Sequence, residues 1–110
     1  MSLNYNHATI VGRTTKKPEL KTTPNGIKVA TFSIATSEKY KEEEKTEFHN
    51  IVAFGKTAEI IAQYVEKGQL LLVEGKLSTS SWEKDGQKFY KTDVICQNFQ
   101  FGPKANAKEN

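Results

Sequence analysis

The chain has 110 residues, 36% of them hydrophobic, a mean hydropathy of −0.62 and a formal net charge of +3. That length supplies one small core and not two; no run of about 18 apolar residues is present, which excludes a membrane-crossing helix. Cys96 is the single cysteine, so no internal disulfide can form, and MSLNYNHATIVGR carries no basic-then-apolar leader pattern, so a reducing, cytoplasmic location is expected.

In chain order, the pattern predicts five strands and one helix. Residues from about Tyr5 to Thr15 are rich in β-branched types and read as a strand, with Gly12 as a bend or bulge. Pro18 interrupts it. Pro24-Asn25-Gly26 reads as a turn, because proline presets the first φ and Asn-Gly tolerates φ > 0. Ile27 to Thr36 is a second strand whose apolar residues change parity between Val29 and Phe32, which predicts a bulge or strong curl. The segment SEKYKEEEKTE over 37–47 reads as a hydrophilic loop, and Thr46 to Gly55 as the third strand.

Lys56 to Lys67 then switches to helical spacing. Ala58, Ile61, Ala62 and Val65 share one face, Thr57 is the expected N-cap, and Gly68 stands where a glycine closes a helix. Leu70 to Trp82 forms a fourth strand broken at Gly75, Lys84-Asp85-Gly86-Gln87 a hairpin tip, and Phe89 to Phe101 the fifth strand. One domain is expected over residues 1–102, followed by a loose tail over 103–110. Three strands, a helix and two strands is the element order of an OB-fold, an all-β five-stranded Greek-key barrel with a helix between strands three and four. That helix favours it over an SH3-like barrel or a small α+β sheet.

Charge is unevenly spread. The 37–47 segment holds five acids and three lysines, so the remainder carries thirteen basic and eight acidic residues, a balance of +5. Such a surplus suits a polyanionic partner. Fifteen lysines accompany one arginine; lysine acts as a mobile point charge on phosphates, whereas arginine's planar fork suits bidentate reading of bases. The composition therefore points to backbone contact without sequence readout.

Aromatic placement adds to this. On the third strand Phe48, Asn50, Val52 and Phe54 share a face, and the two rings lie about 20 Å apart at ~3.3 Å per residue, a spacing that suits several stacked bases. Core packing of both rings is the competing reading of that strand alone. Tyr40 and Trp82, by contrast, sit among charged and hydroxyl residues where little apolar surface accompanies them. Platforms for a partner explain such rings better than a core does, since any base stacks on a ring.

Catalytic patterns are missing. His7 and His49 have no His, Cys or acidic partner at metal-ligand spacing. No glycine-rich phosphate loop is present, Glu42, Glu43 and Glu44 lie in a hydrophilic segment with nothing to tune a pKa, and Cys96 reads as a small buried hydrophobe. No enzyme, cofactor or metal is expected.

Four strings carry a resemblance: LNYNHATIVGR, KKPELKTTPNGIKVATFSIATSE, TEFHNIVAFGKTAEIIAQYVEKGQLLLVEGKL and SSWEKDGQKFYKTDVICQNFQF. From Leu3 to Phe101 the chain resembles the bacterial single-stranded-DNA-binding protein family. The resemblance implies sequence-non-specific binding of single strands in replication, recombination and repair by a homotetramer. It implies base stacking on Tyr40, Phe48, Phe54 and Trp82, phosphate contacts from Lys21, Lys56 and Lys67, and a place for His49 at a subunit interface. Against the family pattern, Tyr40 and Phe48 stand where tryptophan is common, and Ser78, Ser80 and Asn50 where basic residues are common. Fewer cations on that face imply a shallower salt dependence. PKANAKEN also lacks the acidic, apolar tip with which the family recruits partner enzymes. A primosomal, plasmid or phage relative, or an OB barrel that binds proteins through the same rings, are the alternative functions.

Overall fold

The structure, a computed structural model, describes residues 3–103. The strands are β1 (Ala8–Thr14), β2 (Glu19–Thr22), β3 (Lys28–Tyr40), β4 (Glu43–Phe54), β5 (Leu70–Lys84) and β6 (Gln87–Phe101), with one helix, α1 (Gly55–Tyr64), between β4 and β5. They form one sheet in the order β1-β5-β6-β4-β3-β2, closed into a barrel where Arg13 and Thr14 of β1 also pair with Ala35 and Ile34 of β3. The five long strands are the predicted OB barrel, and β2 is a short addition that pairs along the start of β3.

The barrel encloses one core. Ala30, Phe32 and Ile34 from β3, Ile51 and Ala53 from β4, Leu71 and Val73 from β5, and Val94 and Cys96 from β6 fill it. α1 closes one end with Ala58 and Ile61, and Val65 completes that plug. These are the helix face expected from the sequence, except that Ala62 is only half-buried. Hydrogen bonds at this end join distant segments. The Thr14 hydroxyl donates to the Glu66 carbonyl at 2.5 Å and accepts from the Gln69 amide at 3.0 Å.

Several expectations are corrected. The 37–47 segment is a β-ribbon and not a loop: β3 and β4 stay paired beyond the barrel through Glu38–Lys45, Lys39–Glu44 and Tyr40–Glu43, turning at Lys41 and Glu42. Opposite charges face each other at successive rungs, and the Ser37 and Thr46 hydroxyls lie 2.9 Å apart, so the cross-strand pairs themselves support the strands. The parity change in β3 is not a bulge. The β3–β4 register runs unbroken from Val29–Phe54 to Tyr40–Glu43, with Val29 on the outer face and Ala30, Phe32 and Ile34 inside.

β5 is likewise unbroken at Gly75; the irregularity lies opposite, where Glu74 pairs with Asn98 and Gly75 with Cys96, leaving Gln97 as the extra residue of a bulge in β6. Gly12 makes no bulge either, since β1 keeps register with β5 throughout. Its missing Cβ is what lets β1 approach β3, because a methyl there would run into the Ala35 carbonyl oxygen. Thr57 is not the N-cap: that position is Phe54, without a side-chain cap, and the chain turns into α1 through Gly55 at φ +66. α1 ends at Tyr64, earlier than the predicted Lys67, with Val65 as C-cap, and Gly68, at φ +80, serves the turn into β5. The predicted loose tail lies, but for Pro103, outside the described residues.

Candidate nucleic-acid interface

Because Ile51 and Ala53 point into the core, alternation leaves Phe48, Asn50, Val52 and Phe54 on the outside of β4. Phe48 is 66% and Phe54 47% exposed. Rings of this size left open to water on a regular strand are unexplained by folding alone. The neighbouring strands widen the face. On one side Val29, Thr31, Ser33 and Ala35 of β3 pair with Phe54, Val52, Asn50 and Phe48. On the other, β6 runs parallel to β4 with Ile95 beside Val52. The outward residues Phe89, Lys91, Asp93 and Ile95 of β6 pair in turn with Trp82, Ser80, Ser78 and Lys76 of β5.

Three of the four rings read from the sequence therefore share one face: Phe48, Phe54 and Trp82. Trp82 is 48% exposed and lies against its cross-strand partner Phe89, ring centroids 5.8 Å apart with 22° between planes. Tyr40 stands apart. Its alternation matches Ile34, Thr36 and Glu38, which places it on the opposite side of the ribbon from Phe48, 74% exposed and with the Lys41 ammonium 5.4 Å from its ring centroid.

The lysines divide similarly. Lys21 on β2 pairs with Val29 and so joins the row that ends in Phe54, with Glu19 Oε1 4.0 Å from its ammonium. Lys56 is exposed in the first turn of α1, two residues past Phe54, whereas Lys67 lies beyond the other end of the helix in the turn before β5. Lys91 and Lys76 project from the aromatic face itself. Lys91 stands directly across from Ser80, so β6 supplies a cation to a row where β5 offers a hydroxyl. The only arginine, Arg13 of β1, pairs with Ala35 beyond Phe48, and its Nη1 donates to the Gly68 carbonyl at 3.1 Å.

His49 faces the side of β4 that bears Ile51. It is half-buried, with Nε2 2.8 Å from the Thr36 hydroxyl, and belongs to a different surface from the rings. Cys96 is in the core, where burial pushes its thiol up to about 11, partly offset by a backbone hydrogen bond at Asn98. Among the described residues no group of three His, Cys, Asp or Glu side chains could hold a metal ion.

Two contributors escape a sequence reading. Phe89 was legible in principle, because a two-residue Asp85-Gly86 turn pairs Trp82 with Phe89. Asp93 was not, because its environment depends on the parallel pairing of β4 with β6, which no local pattern encodes.

The arrangement has known counterparts. Residues 5–102 match the model of the single-strand binding protein family. The chain is 39% identical over 107 residues to a protein named single-stranded DNA-binding protein 1 of Chlorobaculum tepidum, an alignment covering 91% of this chain and 66% of that protein. It is 42% identical over 100 residues to single-stranded DNA-binding protein 2 of Staphylococcus aureus, covering 87% and 71%. The chain thus spans about two thirds of the length of these relatives. A solved structure described as a Plasmodium falciparum SSB complex with ssDNA superimposes with a TM-score of 0.87 at 29% identity, covering 94% of this chain and 99% of that one. With a family model spanning nearly all of the described residues and relatives near 40% identity, the chain belongs to the single-strand binding protein family.

Proposed function

We propose that this protein binds and protects single-stranded DNA without sequence readout, as a homotetramer, during replication, recombination and repair in the cytoplasm. It acts as a binding protein and not as an enzyme. The observation that carries this reading is the pair of exposed rings, Phe48 and Phe54, on one strand face that continues across β6 to the Trp82–Phe89 stack. Bases stack on these rings, each worth about 1–3 kcal/mol. Phosphates then meet the lysines along the same path, Lys21 and Lys56 near Phe54 and Lys91 toward Trp82, with Lys67 beyond the helix. Tyr40 receives a base where the strand passes over the ribbon tip. The single guanidinium, Arg13, donates to the Gly68 carbonyl, which leaves the lysines as the mobile cations for the backbone, in keeping with contact to phosphates and ring surface. His49, held by Thr36 on another surface, sits at the subunit interface.

Trp82 is the only tryptophan, so its fluorescence reports one point on the path. Oligo(dT) should quench it strongly and duplex DNA weakly, and added salt should reverse the effect, since each phosphate contact contributes about 0.7 to the log–log salt slope. A folded protein whose Trp82 emission ignores oligo(dT) would remove the ring from the DNA path. Quenching that salt does not weaken would favour an apolar protein partner instead.

A further inference from the structure

The arm over residues 3–7 leads into β1 outside any strand, yet it is fastened where such segments are ordinarily loose. Asn6 stands two residues before Ala8 and Leu77 two residues after Gly75, so the β1–β5 register brings them opposite each other. The Asn6 side chain takes the place of a backbone pair there: its Oδ1 accepts from the Leu77 amide at 2.9 Å and its Nδ2 donates to the Leu77 carbonyl at 2.8 Å. On either side of this clamp, Tyr5 and His7 turn to one face. Their rings stack with centroids 6.1 Å apart and 19° between planes, and His7 Nε2 lies 3.0 Å from the Thr9 hydroxyl. Thr9 pairs with Glu74, and Glu74, Lys76, Ser78, Ser80 and Trp82 share one side of the unbroken strand β5. The two rings therefore border the same face as Trp82, with β5 between the arm and β6. Tyr5 is 89% exposed, the most exposed aromatic side chain among the described residues.

We infer that the Tyr5–His7 stack is a further base-stacking platform, which takes up the single strand after Trp82 and carries it across β5 to the arm. This rests on the single-stranded-DNA reading and lengthens its path. The register sets Tyr5 level with Ser78, four residues from Trp82, which is about 13 Å along β5 at ~3.3 Å per residue. About four stacked nucleotides fill that gap at ~3.4 Å each. Lys76 supplies a cation on the same side for a phosphate, and Ser78 and Ser80 leave the floor between the rings low and uncharged. Asp93, opposite Ser78, is ion-paired with Lys91 at 3.7 Å. A platform on which any base stacks adds grip without sequence readout, in accord with the rest of the face. The Asn6 clamp holds it in place before DNA arrives, which spares the ordering cost that a loose arm would incur on binding.

The test uses the whole chain with oligo(dT) carrying 5-iodouracil. Irradiation should attach the oligomer to the tryptic peptide 1–13, which ends at Arg13 and whose only aromatic rings are Tyr5 and His7. In anisotropy titrations Tyr5→Ala should weaken binding about fivefold or more, the loss of one stacked base, while Tyr5→Phe, which keeps the ring, should stay within about twofold of the parent. Either result failing, while oligo(dT) still quenches Trp82, overturns the inference and leaves single-strand binding standing. Light scattering should give Tyr5→Ala the mass of the parent; a smaller assembly also overturns the inference, because the arm would then hold copies of the chain together. If oligo(dT) does not quench Trp82 in the parent, single-strand binding itself falls and this platform with it.

Discussion

Replacing Phe48 by alanine separates a ring kept for a partner from a ring kept for the fold. Phe48 is 66% exposed, and its opposite neighbour on β3 is the small Ala35, so most of its surface faces water in the free protein. Truncation should change stability by no more than about 0.5 kcal/mol, as for other surface sites. On DNA the loss is that of one stacked base, about 1–3 kcal/mol, which weakens binding by about 5- to 150-fold. Phe32 on the same hairpin is the internal control: only 5% exposed, it should cost about 3–5 kcal/mol of stability when cut to alanine. Oligo(dT) titrations by anisotropy and thermal melts on both variants give the two quantities. A Phe48→Ala protein that melts with the parent yet binds within about twofold of it would refute the stacking assignment. One that melts far below the parent would show that the ring belongs to the core.

Other substitutions probe the frame and the second surface. Gly75→Ala drives a methyl into the Ile95 carbonyl oxygen at the β6 bulge and should lower stability by about 1–3 kcal/mol or more; an unchanged denaturation midpoint would mean the bulge accommodates it. Cys96, with its thiol raised above 9.0 to about 11, should react slowly with thiol reagents at neutral pH until the protein unfolds. The same shift makes its contribution to stability complete below pH 9 and lost as pH rises toward 11, because the unfolded thiol ionises first. Rapid labelling of the folded protein would contradict the burial. His49→Tyr should give smaller assemblies by light scattering while leaving the fold intact, and an unaltered mass would remove His49 from the interface.

Much of this architecture is written locally in the chain. Helical spacing at Ala58, Ile61 and Val65, the Asp85-Gly86 turn and the alternation of β4 each name their own structure, and the outward pair Phe48 and Phe54 follows from alternation alone. The 37–47 ribbon misled because glutamate and lysine are poor strand formers by composition. What stabilises them is the opposite charge on the facing strand, visible only once the register is known. The side on which Tyr40 falls depends on that same register. The helix start misled for another reason: Gly55 turns the chain by its positive φ, so no hydroxyl cap is used and Thr57 lies inside the first turn. The place of Asp93 depends on the parallel pairing of β4 with β6, and such a joint property has no sequence signature.

The seam at which β1 closes the barrel also sets a schedule for folding. Ala8 finds its partner in Gly75, and Arg13 in Leu70, so β1 must wait for β5, which is synthesised after β2, β3, β4 and α1. At ~5–20 residues per second that interval is about 3–13 s, during which β3 and β4 can already zip into their hairpin while β1 has only its two-residue contact with β3. An apolar edge, with Ile10 and Val11 on it, stays unmated throughout. Crowding or a slowed ribosome should therefore punish this protein through β1 first, and substitutions that make β1 less adhesive should raise the yield of folded chains without altering the finished barrel's grip on DNA.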